Sequence, residues 1–357
     1  MSTSITEIPV KASTPYTVHI GSGLLADCGP AIAALHSPCT AAIISDSNVA
    51  PLYLSTVEQS LKSAGFRTIS FVFPAGEASK NIHTFSNILE FLAGHHITRT
   101  DLVVALGGGV TGDMAGFSAA CILRGIPYVQ IPTSLLADVD SSVGGKTAID
   151  LDAGKNLTGA FKQPLTVFCD TDTLQTLPDE VFYDGCSECI KYGVLGSREI
   201  LNIFESGDPR ASIQQVIADS VQMKADYVAE DEFDTGLRRY LNLGHTLGHA
   251  IERRSNFQLM HGHAVAVGMV LISRAGEKMG ITEPGTADRL SAILTRNHLP
   301  VSTSLSAEEI TETALNDKKR KGDSIALIVP ETLGKCVTKT IPVSELLQVV
   351  RFSLGEA

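Results

Sequence analysis

The sequence predicts an α/β N-terminal domain built on a parallel sheet, followed by a mainly α-helical C-terminal domain. Three observations carry that expectation. Short apolar runs alternate with helix-period stretches over the first half of the chain; those runs lack polar alternation; and long amphipathic stretches dominate the second half. A strand covered by helices on both faces buries every side chain, so it reads as a continuous apolar run. Strands alternating with helices argue a parallel sheet.

The elements follow in order. Ala41–Ser45 is a short apolar run ending in Asp46, and Arg67–Phe73 reads as a strand stopped by Pro74–Gly76. Asn81–His95 has a helical pattern with Ile82, Phe85, Ile88, Leu89 and Leu92 on one side. Leu102–Leu106 and Tyr128–Ile131 are further apolar runs. After Thr176–Pro178 come the amphipathic stretches Glu180–Val194, Ala211–Val228, Leu237–Arg254 and Ala264–Met279, then a strand-like tail at Ile325–Val329. A chain of 357 residues exceeds one ordinary core. Two domains are expected, residues 1–178 and 179–357.

Bulk properties exclude some classes. A formal net charge of −11 argues against nucleic-acid and anionic-membrane partners, which demand a basic surface. A small anionic substrate needs only a local basic pocket. Met1 to Lys11 has neither the basic start nor the apolar run of a signal peptide. No stretch of about 18 apolar residues suggests a membrane span. Seven scattered cysteines, an odd number, suit a reducing compartment better than a disulfide framework. A cytoplasmic protein is expected.

Gly107, Gly109 and Gly112 satisfy G-x-G-x-x-G directly after an apolar run and at the opening of a helical stretch. Absent side chains let backbone amides approach a pyrophosphate, and the following helix N-terminus favours negative charge. The same glycines also suit a tight strand-to-helix turn. A Rossmann-like sheet is thus expected, with one departure. The acidic residue usual at the end of the next strand is missing, because that run ends in Pro132–Thr133. The candidate ribose-binding acid is Asp46, on an upstream strand, which implies a non-standard strand order. Glu77 and Lys80 are candidate further contacts, or an exposed loop and helix start.

Gly144–Gly145–Lys146–Thr147 looks like the tail of an ATP-binding P-loop, but Asp140 stands where that motif needs glycine. What remains is a loop-rich segment with Asp138, Asp140, Lys146, Lys155 and Asn156, suited to phosphate oxygens or to a plain surface loop. Arg238, Asn242, His245 and His249 are spaced 4, 3 and 4. On one helix they fall within an arc of about 60°, with Leu243, Leu247 and Ala250 roughly opposite. Such a polar stripe lines a pocket. His-x-x-x-His suggests zinc, yet Thr246 replaces the glutamate of a zinc peptidase. His261 is a further ligand candidate, and Glu188 would complete a His₂Glu set that leaves a position open for substrate. Cys186 and Cys189 flank Glu188 in a helical pattern and read as small packing residues. The basic run Asp317–Lys318–Lys319–Arg320–Lys321 reads as solvated surface, or as a lysine supplied to an anion pocket.

Taken together, these residues resemble the 3-dehydroquinate synthases, within the sugar-phosphate cyclases. The match runs from Ile20–Gly21–Ser22–Gly23 to Asp317–Lys318–Lys319 and is strongest in Gly107–Gly116, Pro132–Asn156, Glu188–Gly193, Leu241–Glu252 and His261–Met269. The resemblance implies Zn²⁺ or Co²⁺ on Glu188, His245 and His261. It implies NAD contacts from Asp46, Glu77, Lys80, Gly108, Gly109, Asp113, Thr133, Ser134, Lys146, Lys155, Thr173 and Thr176. It places the substrate carboxylate on Lys224 and Arg238, and the phosphate on Lys146, Asn156, Asn242, His249 and Lys318. His249 becomes a proton relay, with Lys191, Lys146 and Asp140 as further catalytic residues. Arg124 resembles the family's arginine that reaches the neighbouring subunit, so a homodimer is expected.

The implied reaction belongs to the shikimate pathway of aromatic amino acid biosynthesis. It converts 3-deoxy-D-arabino-heptulosonate 7-phosphate to 3-dehydroquinate and phosphate by transient oxidation by NAD, phosphate elimination, reduction, ring opening and aldol closure. Two departures stand out: His263 where many members have Glu, and cysteines beside Glu188. The rival readings are a sister cyclase of the 2-deoxy-scyllo-inosose or valiolone type, and a metal-dependent polyol dehydrogenase. Lys224 paired with Arg238 favours a carboxylated substrate.

Overall fold

The structure, a computed structural model, describes residues 5–315 and 323–356. It divides into two compact units, Met1–Pro178 with Ser220–Phe233 and Asp179–Asp219 with Asp234–Ala357.

The first unit contains β1 (Thr6–Val10), β2 (Tyr16–Gly21), α1 (Leu24–Leu35), β3 (Thr40–Asp46), α2 (Ala50–Ser63), β4 (Arg67–Phe73), α3 (Ile82–Gly94), β5 (Leu102–Gly107), α4 (Gly109–Cys121), β6 (Tyr128–Pro132), β7 (Lys146–Leu151), β8 (Gly154–Phe161) and β9 (Thr166–Asp170). Seven strands form one sheet in the order β1-β2-β9-β6-β5-β3-β4. Every neighbouring pair is parallel except β1–β2. Side chains alternate between its two faces, as the pleat requires. Ala42, Ile44, Val103 and Ala105 pack with Phe85, Ile88 and Leu92 of α3 and Met114 of α4. Ala41, Ile43, Leu102 and Val104 face the other way, onto Leu25 and Ile32 of α1 and Val57 and Leu61 of α2. The chain passes from β3 outward to β4 and then back across to β5, so strand order reverses between β3 and β5. In open α/β sheets ligands bind outside the carboxyl ends of the strands at such a point.

The loop-rich reading of residues 144–156 is corrected. β7 and β8 form a separate antiparallel ribbon, with Lys146 opposite Phe161. The close approach is made possible by Gly159, where a Cβ would lie 2.0 Å from the Thr147 carbonyl oxygen. Glycine-rich, polar composition concealed strand pairing here, because Ile149 and Ala160 are the ribbon's main contribution to the apolar core.

The second unit is mainly helical: α5 (Asp179–Leu195), α6 (Arg198–Ser206), the start of α7 (Ile213–Glu230), α8 (His245–Arg254), α9 (His261–Lys278), α10 (Thr286–Arg296), α11 (Ala307–Leu315) and α12 (Leu346–Leu354), with the antiparallel pair β10 (Ser324–Thr332) and β11 (Lys335–Pro342). The reading of Leu237–Arg254 as one helix is corrected. Leu237–Asn242 is a 3-10 turn, Leu243 is extended, and Gly244 is left-handed at φ 78° before α8 begins. No helix among the described residues is long and apolar enough to cross a membrane. All seven cysteines are free thiols.

One buried acid stands apart. Asp138, in the π-helical turn Ala137–Ser141 after β6, is fully buried. Neither of its carboxylate oxygens has a hydrogen-bond partner among the described residues. Burial pushes its carboxyl well above the usual aspartate range; the nearby Cys169 thiol opposes this and Asp170 adds to it. A raised folded-state pKa means the native state holds the proton that the unfolded chain has lost. Stability is therefore complete below the ordinary aspartate pKa and falls as pH rises through the window above it, at about 1.4 kcal/mol per pH unit. Asp138→Asn removes that slope. Urea titrations are expected to show a variant whose advantage over the parent widens from pH 5 to pH 8; a pH-independent difference contradicts this.

Candidate active site

The first unit gathers polar residues at the carboxyl ends of its parallel strands. Asp46 closes β3: its Oδ1 accepts the backbone N–H groups of Asn48 and Val49, and its Oδ2 accepts the Thr111 hydroxyl at 3.1 Å. Thr111 lies in the first turn of α4, so Asp46 is tied directly to the glycine-rich turn after β5. A Cβ on Gly107 would sit 2.5 Å from the Thr111 hydroxyl oxygen, which is why this turn excludes side chains. Gly108 and Gly109 open α4, facing the Ser134 and Ser141 hydroxyls. Thr133 donates its N–H to the Gly107 carbonyl, fixing the end of β6 beside the same turn.

Ion pairs extend this rim. The Lys80 ammonium is 2.6 Å from Asp113 Oδ2 and donates to Asn156 Oδ1 at 2.6 Å. Burial acts to lower the Lys80 pKa, but Asp113 and Glu77 outweigh it and hold the amine above its ordinary value. Lys155 pairs with Glu77 at 3.2 Å. Asn156 is left-handed, φ 54°, and its N–H is anchored on Asp150 Oδ1 at 2.7 Å. Beyond β9, the Tyr53 hydroxyl donates to the Thr173 carbonyl and meets the Thr176 hydroxyl. Lys224, buried on α7, pairs with Asp140 through both its side chain (2.5 Å) and its carbonyl. Lys146 is exposed at the start of β7. Arg124 is exposed on the turn after α4, with Leu123 and Arg124 both at positive φ. Backbone strain of that kind persists where the surroundings impose it and clusters at functional sites.

The second unit builds a different cluster from α5, α8 and α9. Glu188 and Lys191, one turn apart on α5, are 0% and 1% exposed, and the ammonium sits against Glu188 Oε2. Glu188 Oε1 lies 3.6 Å from His245 Nε2 and 3.4 Å from His261 Nε2. The three helices are pressed together by glycines. A Cβ on Gly262 would be 1.9 Å from the Asp184 carbonyl of α5, and one on Gly268 would be 2.0 Å from the Gly244 carbonyl beside α8. Asp184 Oδ1 also accepts the His263 N–H and meets its Nδ1, each at 2.8 Å, which pins the start of α9 to α5.

The imidazole tautomers are set by their other nitrogens. His245 Nδ1 donates to the Leu243 carbonyl at 3.0 Å, leaving Nε2 towards Glu188. His261 Nδ1 faces Glu252 Oε2 at 3.4 Å. Burial drives the His245 pKa well below its ordinary value, with Lys191 and the neighbouring imidazoles adding to the effect. Burial opposes protonation of His261 as well, but Glu188 and Glu252 outweigh it and raise that pKa to about 10. The two Nε2 atoms stand 3.4–3.6 Å from the same Glu188 oxygen. These separations suit donors sharing a tetrahedral cation, whose ligands at about 2.0–2.1 Å stand about 3.3 Å apart. The residues present therefore fit a divalent metal. His249 is the neighbour: donor atoms of His245, His249 and His261 all lie within 4.8 Å of one another.

Comparison with known proteins bears on this arrangement. Residues 70–184 match the family described as 3-dehydroquinate synthase N-terminal, and residues 185–320 match 3-dehydroquinate synthase C-terminal. A 3-dehydroquinate synthase of Streptococcus suis is 42% identical over 346 residues, spanning 95% of this chain and 98% of the relative. One from Clostridium acetobutylicum is 41% identical over 342 residues, 94% and 96% of the two chains. The chain belongs to the 3-dehydroquinate synthase family.

Sister cyclases share the family's fold at lower identity. A 2-deoxy-scyllo-inosose synthase, solved with carbaglucose-6-phosphate, NAD⁺ and Co²⁺, superposes with TM-score 0.87 at 23% identity, covering 97% of this chain and 99% of its own. The 2-epi-5-epi-valiolone synthase of Streptomyces hygroscopicus, solved with NAD⁺ and Zn²⁺, gives 0.85 at 24%, covering 95% and 97%. The sister-cyclase reading is not favoured, because the 3-dehydroquinate synthase relatives match at 41–42%.

Within this 3-dehydroquinate synthase fold, several contributors escaped the sequence: Thr111 on Asp46, Tyr53 at Thr173 and Thr176, Asp150 on Asn156, and Glu252 on His261. Glu252 alone left a signal, seven residues after His245 and hence on the same face of α8. Lys318 lies outside the described residues.

Gly244 tests the packing that aims His245. At φ 78°, a Cβ there would meet Met269 Cγ at 2.6 Å and the Val265 carbonyl at 2.8 Å. Gly244→Ala is expected to cost about 2–5 kcal/mol from left-handed strain plus overpacking, and to reduce zinc stoichiometry. An unchanged urea midpoint with full zinc content contradicts this.

Proposed function

We propose that this chain converts 3-deoxy-D-arabino-heptulosonate 7-phosphate to 3-dehydroquinate and phosphate, with NAD held by the first unit and Zn²⁺ or Co²⁺ held by Glu188, His245 and His261. The observation that carries the metal assignment is Glu188 Oε1 facing two Nε2 atoms at tetrahedral-ligand spacing. When bound, the cation acidifies a substrate hydroxyl and polarises the derived ketone, while the nicotinamide accepts and returns one hydride.

The chain's own residues do the rest. Lys191 neutralises Glu188 and holds its Oε2, keeping Oε1 towards the imidazoles. Asp140 holds the Lys224 ammonium for the substrate carboxylate, which also meets buried Arg238. Asn156 gives its Oδ1 to Lys80, so its amide N–H groups remain for phosphate oxygens, together with Lys146, Asn242 and His249. Lys318 is the remaining phosphate candidate. His249, half-buried beside both metal-binding imidazoles, relays the proton as phosphate departs. Asp46 takes the ribose hydroxyls, and the amides of Gly108 and Gly109 at the start of α4 take the pyrophosphate. Glu77, Lys80, Asp113, Thr133, Ser134, Lys146, Lys155, Thr173 and Thr176 complete the nucleotide cradle. Arg124 serves the neighbouring subunit's site in a homodimer.

The deciding experiment is phosphate release from the heptulosonate phosphate with NAD far below substrate. Many turnovers per NAD, abolished by a chelator and restored by zinc, are expected. NADH accumulating one per turnover without phosphate would mean a polyol dehydrogenase instead. His245→Ala is expected to lose zinc and activity together; full zinc retention contradicts its ligand role. His249→Ala is expected to keep NAD and zinc while losing about 10²–10⁴-fold in phosphate release, the range for a positioned acid–base group; loss of zinc assigns it to the metal.

A further inference from the structure

We infer that Glu252 is the positioning residue of the metal site: its carboxylate fixes the tautomer and aim of His261 and strengthens it as a ligand. This rests on the metal reading above and goes beyond it, because Glu252 touches neither cation nor substrate in that reading.

Three features of the second unit converge on Glu252. It is 4% exposed, although its sequence context, Glu252–Arg253–Arg254 at a helix end, is that of a solvated surface. Its Oε2 is 3.4 Å from His261 Nδ1, the ring nitrogen opposite the Nε2 that faces Glu188. It lies two helical turns after His245 on the same face, so α8 supplies one ligand directly and orients the second.

The connection between the helices enforces this contact. Asn256 and Phe257 both adopt left-handed backbone, φ 52° and 60°, turning the chain back onto α8. The Phe257 N–H and the Ser255 hydroxyl close on the Glu252 carbonyl at 3.1 and 2.7 Å. Gly248 then lets α9 approach, since a Cβ there would sit 2.9 Å from the Ala264 carbonyl. Glu252 and His261 are thereby held across a glycine-lined contact.

The two imidazoles are treated differently. His245 gives its Nδ1 proton to a neutral carbonyl, Leu243, whereas His261 faces a carboxylate. A carboxylate on the distal nitrogen fixes the tautomer and raises ligand basicity, and losing such a partner typically weakens metal affinity about 10- to 100-fold. Glu252 also adds negative charge near a dication that Glu188 alone, already paired with Lys191, leaves poorly compensated.

The test uses full-length protein stripped of metal and titrated with zinc against a chromophoric chelator. Glu252→Gln keeps the shape and an acceptor oxygen but removes the charge. It is expected to match the parent in metal-free urea midpoint, to bind zinc about 10- to 100-fold more weakly, and to give altered cobalt(II) ligand-field bands. Parental zinc affinity and an unchanged cobalt spectrum overturn the inference. Should the variant fold poorly, ¹⁵N-histidine NMR of the zinc-loaded parent decides: His261 bound through Nε2 with a proton on Nδ1 supports it, and the reverse overturns it. A parent that takes up no zinc removes the metal site itself, and the inference with it.

Discussion

A carboxylate and an ammonium, both withdrawn from water on α5, are the constraint around which the second unit is organised. Burying either charge alone would cost several kcal/mol, and each of Glu188 and Lys191 offsets much of that cost for the other. The pairing has a directional consequence. With Lys191 against Oε2, Glu188 presents Oε1 towards His245 and His261. In the reading proposed above, a dication beside this neutral pair and Glu252 would still leave net positive charge, and an anionic substrate oxygen would complement it. Lys191 thus keeps the site from becoming an indiscriminate anion of its own and keeps Glu188 from swinging away.

Helix packing converts that preference into geometry. α9 contacts α5 through Gly262 and lies against α8 and its cap through Gly244, Gly248 and Gly268, positions where any Cβ would run into backbone or, at Gly244, also the Met269 side chain. Close-packed backbones leave little room for the ligands to drift. The first unit uses the same device for another purpose. Gly107 clears the space beside Asp46 and Thr111, and the reversal of strand order between β3 and β5 falls where open α/β sheets bind their ligands. Glycine in this chain therefore serves approach of main chain to main chain around the Glu188–His245–His261 cluster, and of the Thr111 and Asp46 side chains to main chain at the turn after β5.

Much of the fold was legible from the sequence. β3, β5 and β6 emerged as apolar runs because burial on both faces removes polar alternation, and β4, an edge strand and only partly buried, emerged from its β-branched and aromatic run stopped by Pro74–Gly76. α3, α5, α7 and the strand at Ser324–Thr332 were also foreseen in place. β1, β2, β9 and the β7–β8 ribbon were not: β1 and β2 carry only a short alternation of Ile8, Val10, Tyr16, Val18 and Ile20, β9 is five residues long, and glycine-rich polar composition masks the ribbon. The spacing of Arg238, Asn242, His245 and His249 does not come from one helix. A 3-10 turn followed by an extended residue and a left-handed glycine precedes a short helix, so the 3.6-residue period across that stretch was fortuitous. Charged residues such as Glu252 and Asp150 act through contacts distant in sequence or across turns, where composition alone reads only solvent.

The central claim is that one carboxylate and two imidazoles, Glu188, His245 and His261, hold a cation. Anomalous diffraction at the zinc edge from crystals of zinc-loaded protein tests it most directly. The account requires a single strong peak about 2.0–2.2 Å from Glu188 Oε1, His245 Nε2 and His261 Nε2. A peak held by His245, His249 and His261 with Glu188 still confined to Lys191, or no peak in this cluster, would contradict it.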